Sequence, residues 1–249
     1  MIITFSKTDV GKKRKTNQDF VYTHEQPIGN LPNLFAVADG MGGHRAGDYA
    51  SRHTVETVEK IVSEDAETDP LKILEHAVKG ANRSLLTSAK EHKELAGMGT
   101  TLVLCTIKGD YLYAANIGDS RLYLINRKIQ QISRDHSLVA EMVRVGEIRP
   151  DEAKRHPDRN VITRAIGITE EVEPDFFDMR LLEDDILLLC SDGLTNMVED
   201  DAIFEVVQSS RDIVEMVESL VRLANQNGGK DNIGVVMIQN KSDEEKSTC

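Results

Sequence analysis

Between Thr100 and Arg127 three apolar runs of strand length, "TTLVLCTI" (100–107), "YLYAANIG" (111–118) and "RLYLINR" (121–127), follow one another with almost nothing between them. The links around Lys108–Asp110 and Gly118–Ser120 are too short for a helical crossover. The sequence therefore pairs these runs as antiparallel strands and excludes a doubly wound parallel sheet in the middle of the chain. Similar runs stand at 34–39 ("LFAVAD"), 186–192 ("ILLLCSD") and 233–238 ("IGVVMI"). Helical patterning comes in blocks instead of after every strand. Ala46, Ala50, Thr54, Val58, Ile61 and Val62 share one face, as do Leu71, Leu74, Val78, Ala81 and Leu85, with Asp69 and Pro70 as N-cap and first residue of the second helix. A late pair, "EDDAIFEVVQ" and "RDIVEMVESLVRLANQ", runs out at Gly228 and Gly229. Blocks of helix beside antiparallel strands describe an α+β domain with helices outside a two-sheet core.

The net charge of −12 disfavours nucleic acid and anionic membranes as partners, since both need a cationic surface. The first residues, "MIITFSKTDVGKKRK", hold too few apolar side chains for a signal-peptide core, and no later run reaches a membrane span. The expectation is a cytoplasmic chain without membrane insertion. Cys105, Cys190 and Cys249 stand at unrelated spacings, which reads Cys105 and Cys190 as small core residues and not as a disulfide or zinc framework. Residues 1–240 read as one domain and 241–249 as a polar, frayed tail. The segment 137–167, a helix "SLVAEMVRVG" followed by the polar "RPDEAKRHPDRN", is either a solvated excursion or a functional element.

Four apolar runs finish at, or begin beside, an aspartate next to a small polar residue or glycine: "VADG" (Asp39), "IGDS" (Asp119), "CSDG" (Asp192) and "KDNIG" (Asp231). One Asp-Gly pair is ordinary turn chemistry. Four at one sheet edge would repel strongly unless a cation neutralised them. An all-oxygen donor set selects hard Mg²⁺ or Mn²⁺ over zinc or copper, and Gly40 would let its own carbonyl join the ligands. Upstream, "GKKRKTNQDF" is a solvated basic loop or the seat of an arginine, Arg14, able to grip phosphate. Neither Cys105 nor Cys190 is followed six residues on by arginine, so a phosphocysteine enzyme is excluded. "GGKD" (228–231) lacks the spacing of a phosphate loop.

The ordered set "RKTNQD", "VADGMGGH", "GMGTTLV", "NIGDSRLYLI", "DHS", "CSDGL" and "KDNIGVV" resembles the motifs of the metal-dependent Ser/Thr protein phosphatases of the 2C type, in their compact bacterial form, over nearly the whole chain. The resemblance implies a four-layer α-β-β-α sandwich with a binuclear centre at one end and a flap at 137–167. It implies that Asp39 bridges two ions, the Gly40 carbonyl completes one site, and Asp192 and Asp231 hold the other. Asp19 would support the second ion, and Asp119 with Asp192 would form a weaker third position. Many eukaryotic relatives carry an acid where this chain has Gln18. The implied reaction is direct hydrolysis of phosphoserine and phosphothreonine in proteins by an ion-activated water. Arg14 would bind the phosphate and His44 would protonate the leaving oxygen. The implied partners are phosphorylated proteins and an opposing bacterial Ser/Thr kinase. A binuclear hydrolase of small phosphate esters and a metal-binding scaffold without chemistry stand as alternatives.

Overall fold

The computed structural model describes residues 2–43, 46–210 and 212–241. Its strands are β1 (Ile2–Asp9), β2 (Asp19–His24), β3 (Leu34–Met41), β4 (Gly99–Thr100), β5 (Leu102–Lys108), β6 (Tyr111–Ile117), β7 (Arg121–Ile125), β8 (Ile129–Gln131), β9 (Asp175–Arg180), β10 (Ile186–Cys190) and β11 (Ile233–Asn240). The helices are α1 (Ala46–Glu64), α2 (Pro70–Glu91), α3 (Leu138–Arg144), α4 (Pro150–Ala153), α5 (Asp192–Thr195), α6 (Asp200–Ser209) and α7 (Ile213–Gln226). Two antiparallel sheets form, one in the order β1-β11-β10-β7-β8 and the other β2-β3-β5-β6-β9, with β4 added beside β3.

The apolar runs are continuous because their strands are covered on both faces. In β3, Phe35 and Val37 enter the core between the sheets with Val103, Leu189 and Val236, while Ala36 and Ala38 pack against α1 and α2. In β10, Leu187 and Leu189 point into the same inter-sheet core, and Ile186, Leu188 and Cys190 pack beneath α6 and α7. Each fully buried Leu or Val of this kind stabilises by about 1.5–3 kcal/mol relative to exposure. The result is the expected four layers, helix pair, sheet, sheet, helix pair. Asp69 caps α2 by accepting from the Leu71 N–H at 3.0 Å, as the sequence indicates. Cys105 and Cys190 are both buried and free. Of the polar tail, residues 242–249 lie outside the described residues, as does Cys249.

Two sequence expectations change. The runs at 111–118 and 121–127 do not pair with each other: β6 lies between β5 and β9 in one sheet, and β7 lies between β10 and β8 in the other. The short link fits a hairpin by length alone, but Gly118 adopts φ +104° and packs against Thr101, and the chain crosses from sheet to sheet at Asp119. Four strands also lie outside the apolar runs. β1, β2 and β9 are half-exposed, polar-alternating strands, and β8 has only three residues.

The segment 137–167 carries α3 and α4 and is tied at both ends. The Leu138 N–H donates to the Val161 carbonyl and the Thr163 N–H to the His136 carbonyl, both at 2.8 Å, and Ile166 bridges to Thr100.

Candidate metal centre

The topology dictates where the aspartates go. β2 and β3 are antiparallel in a register that sets Asp19 directly opposite Asp39. β10 and β11 are antiparallel neighbours, so the end of one and the start of the other lie at the same edge, bringing Asp192 beside Asp231. The crossing at Gly118 delivers Asp119 to that edge as well. Asp39 is braced through its backbone: its N–H donates to Thr101 Oγ1, and its carbonyl accepts from the Thr101 N–H and from Thr100 Oγ1, each at 2.9 Å.

The electrostatics follow from this crowding. Burial first, then Asp19, Asp192, Asp119 and Asp231 in turn, push the Asp39 carboxyl well above the ordinary carboxylate range. Burial raises Asp19 to about 7 against an opposing hydrogen bond from Ser191 Oγ, which donates to Asp19 Oδ2 at 2.6 Å. Asp192 is raised to about 6 by burial and by Asp231, and Asp119 to about 7 by burial and by Asp192 and Asp135. These groups cannot all ionise together without added positive charge.

Arg14 supplies part of that charge. Its Nη2 sits 2.8 Å from Asp231 Oδ2, and the fields of Asp39 and Asp192 also reach it. The N-terminal loop is held there by Asn232, which accepts from the Gln18 N–H at 2.8 Å and donates to the carbonyls of Val10 and Thr16. Among the described residues, no three His, Cys, Asp or Glu side chains are drawn up as closely as a coordination shell requires. Arg14 engages one oxygen of Asp231 and Asn196 one oxygen of Asp192, so these carboxylates are committed to other donors. Asp19 Oδ1 and Asp192 Oδ1 are buried with no hydrogen-bond partner. Orphaned hard oxygens among mutually repelling carboxylates fit a divalent cation of the Mg²⁺ or Mn²⁺ type.

Gly40 has a packing role beside the one the sequence offers. β3 does not stop or bend at Asp39 but continues through Met41. A Cβ on Gly40 would lie 1.9 Å from the Gly47 carbonyl at the start of α1, so the glycine lets strand and helix approach. Gly40→Ala is therefore expected to cost about 3 kcal/mol or more, lowering Tm by roughly 10 °C in a thermal melt. An unchanged melt would contradict this packing.

The structure thus brings Asp19, Asp39, Asp119, Asp192, Asp231, Gly40 and Arg14 to one edge, while His44 lies outside the described residues. Sequence reasoning did not single out Ser191, Thr101, Asn196 or Asn232, the residues that orient the acids. Three of the four stand inside the motif strings "GMGTTLV", "CSDGL" and "KDNIGVV", one step from an aspartate or, for Thr101, between β4 and β5.

A sequence profile described as "Protein phosphatase 2C" matches residues 12–233. The serine/threonine phosphatase stp of Listeria monocytogenes is 39% identical over 246 residues, covering 94% of each chain. The crystal structure of the serine/threonine phosphatase Stp1 from Staphylococcus aureus superposes with a TM-score of 0.90 at 35% identity, over 97% of this chain and 96% of that one. The catalytic domain of the serine/threonine protein phosphatase PstP, solved in complex with 2 manganese ions, superposes with a TM-score of 0.85 at 34% identity, over 97% and 99%.

Proposed function

The chain belongs to the protein phosphatase 2C family, and from that premise we propose that Asp39, the Gly40 carbonyl, Asp192 and Asp231 hold its divalent ions. It is a metal-dependent protein serine/threonine phosphatase that uses Mn²⁺ or Mg²⁺ and acts on phosphorylated proteins. We further propose that residues 1–240 form one catalytic unit, that Asp19 supports the second ion, and that Asp119 with Asp192 offers a third position. The observation that carries these assignments is the convergence of separate strand ends into one carboxylate cluster, where burial and neighbouring acids raise the pKa of Asp39 and of Asp192.

Bound there, divalent ions supply Lewis acidity that neutralises the cluster, acidifies water and draws charge from phosphoryl oxygens. The chain's own residues do the rest. Asp39, fixed through Thr100 and Thr101, cannot swing away from the sheet edge. Arg14 is held by Asp231 Oδ2, a carboxylate that would also serve as a ligand of the divalent ions. Once released, the guanidinium offers its fork to the non-bridging oxygens of the substrate phosphate, holding phosphorus over the cluster. His44 donates a proton to the departing seryl or threonyl oxygen. Removing Arg14 takes away binding made equally in ground and transition states, so Arg14→Ala is expected to raise KM about tenfold or more with a smaller effect on kcat.

The test is phosphate release from a phosphothreonine peptide. Release should require added Mn²⁺ or Mg²⁺, stop with chelator, and exceed release from a nucleotide under the same conditions. Metal-independent release, or a preference for nucleotides, would defeat the assignment. We propose that an opposing Ser/Thr protein kinase makes the substrates and that the enzyme works in the cytoplasm; no described helix is long and apolar enough to cross a membrane.

A further inference from the structure

Beside the acid cluster lies a cavity of about 370 Å³ lined by Lys13, Arg14, Arg159, Lys230 and Asp231, together with Gly193 and Asn196. Three separate elements build it: the N-terminal loop, the end of the segment 137–167, and α5 with the loop before β11. Its one acid, Asp231, is already paired with Arg14. Lys13, Arg159 and Lys230 are exposed and have no ion-pair partner among the described residues. Three unneutralised cations around one cavity are an exception in a chain of net charge −12.

The larger groove of about 1070 Å³ adjoins the cavity and shares Arg159 and Lys230 with it, but six acidic side chains also line it, as many as its basic ones. It offers no preference of sign.

The lysines are not loosely tethered. The N–H groups of Lys12 and Lys13 both donate to the Gly229 carbonyl, at 2.8 and 3.1 Å, strapping the basic loop to the segment that carries Lys230 and Asp231. Asn232 pins the same loop from both sides through Val10 and Thr16. The backbone of Lys13 is thus tied to the stretch that carries Lys230, and both side chains line the cavity next to the arginine assigned to the scissile phosphate.

We infer that this cavity is a subsite for a second anionic group on the same substrate chain, a carboxylate or phosphoryl side chain flanking the phosphorylated residue. A substrate with two anions would otherwise be repelled by the acidic surface, and a local cationic wall reverses that sign where the peptide must dock. The inference rests on the acid cluster being the reaction centre. It names a selectivity that the centre itself does not provide.

Initial rates of the manganese-loaded chain on phosphothreonine peptides carrying glutamine, glutamate or phosphoserine at successive neighbouring positions test it. At one or more positions glutamate or phosphoserine is expected to lower KM about fivefold, with kcat unchanged and the advantage shrinking as salt rises. In Lys13→Ala/Lys230→Ala the advantage disappears, while turnover of the glutamine peptide and of an aryl phosphate stays at the wild-type level. Lys60→Ala, which removes the same kind of charge from α1 roughly 20 Å along the helix from Gly47, keeps the advantage, separating a site from a general field. A benefit from phosphoserine alone assigns the subsite to phosphoryl groups, and one from both assigns it to anionic side chains at large. Indifference of the wild type to flanking charge, or an advantage that survives the double substitution, overturns the subsite. Failure to turn over the glutamine peptide and the aryl phosphate alike overturns the reaction centre and the subsite with it.

Discussion

Asp39→Asn is expected to lose at least ~10³-fold in kcat while the metal-free protein becomes more stable than the wild type. The two effects have one cause. Asp39 is the most crowded carboxyl of the cluster, facing Asp19, Asp192, Asp119 and Asp231. Asparagine keeps its shape and leaves the backbone bonds to Thr100 and Thr101 intact, but removes the charge the others repel. Lewis-acid stabilisation of a phosphoryl transition state is worth several kcal/mol, and each ~1.4 kcal/mol is tenfold in rate, so losing Asp39, the proposed shared ligand, is expected to remove most of the acceleration. A variant that is merely misfolded would lose activity and stability together. Full activity, or a metal-free Tm below that of the wild type, would refute the assignment of Asp39.

The second large effect is a pH-dependent stabilisation by metal. The carboxyl groups of Asp19 and Asp119 are held at about 7 and that of Asp192 at about 6, against an ordinary value near 3.8. Between these limits the folded state binds more protons than the unfolded chain. The contribution of the cluster to stability is therefore complete below about pH 4 and is lost as pH rises through 6 to 7. Divalent ions bind the deprotonated carboxylates and so act where the cluster is weakest. Saturating Mn²⁺ at 100 times Kd adds about 2.7 kcal/mol, or roughly 5–10 °C for a chain of this size, at pH 7.5, and much less at pH 5. Melts at both pH values, with manganese and with chelator, measure it. An equal metal shift at pH 5 and pH 7.5 would show that the ions do not compete with protons for these groups.

What the sequence made legible was the chemistry carried by contiguous strings. Asp39, Asp119, Asp192 and Asp231 announce themselves by standing where apolar runs meet turn residues, and the strands beneath them are apolar on both faces because helices cover the sheets. Less visible were elements whose partners are remote. β1, β2 and β9 are half-exposed and lack the long apolar runs of the buried strands, and only pairing with other strands makes them β-structure. The crossing at Gly118 has the length of a hairpin, and no local signal separates the two outcomes, because the choice is made by packing against Thr101. The contact of Arg14 with Asp231, and the pinning of its loop by Asn232, join residues more than 200 positions apart. Spacing along the chain carries no information about such contacts.

The pairing of β1 with β11, in which Asp9 stands opposite Ile233, has a consequence for how the enzyme comes into being. During synthesis Asp19, Asp39 and Asp119 emerge from the ribosome well before Asp192 and Asp231, and the first strand has no edge to join until the last has been translated. On the proposed ligand set, a nascent chain holds only part of the acid cluster until its last strand is made. The β1–β11 pairing then joins the two ends of the chain.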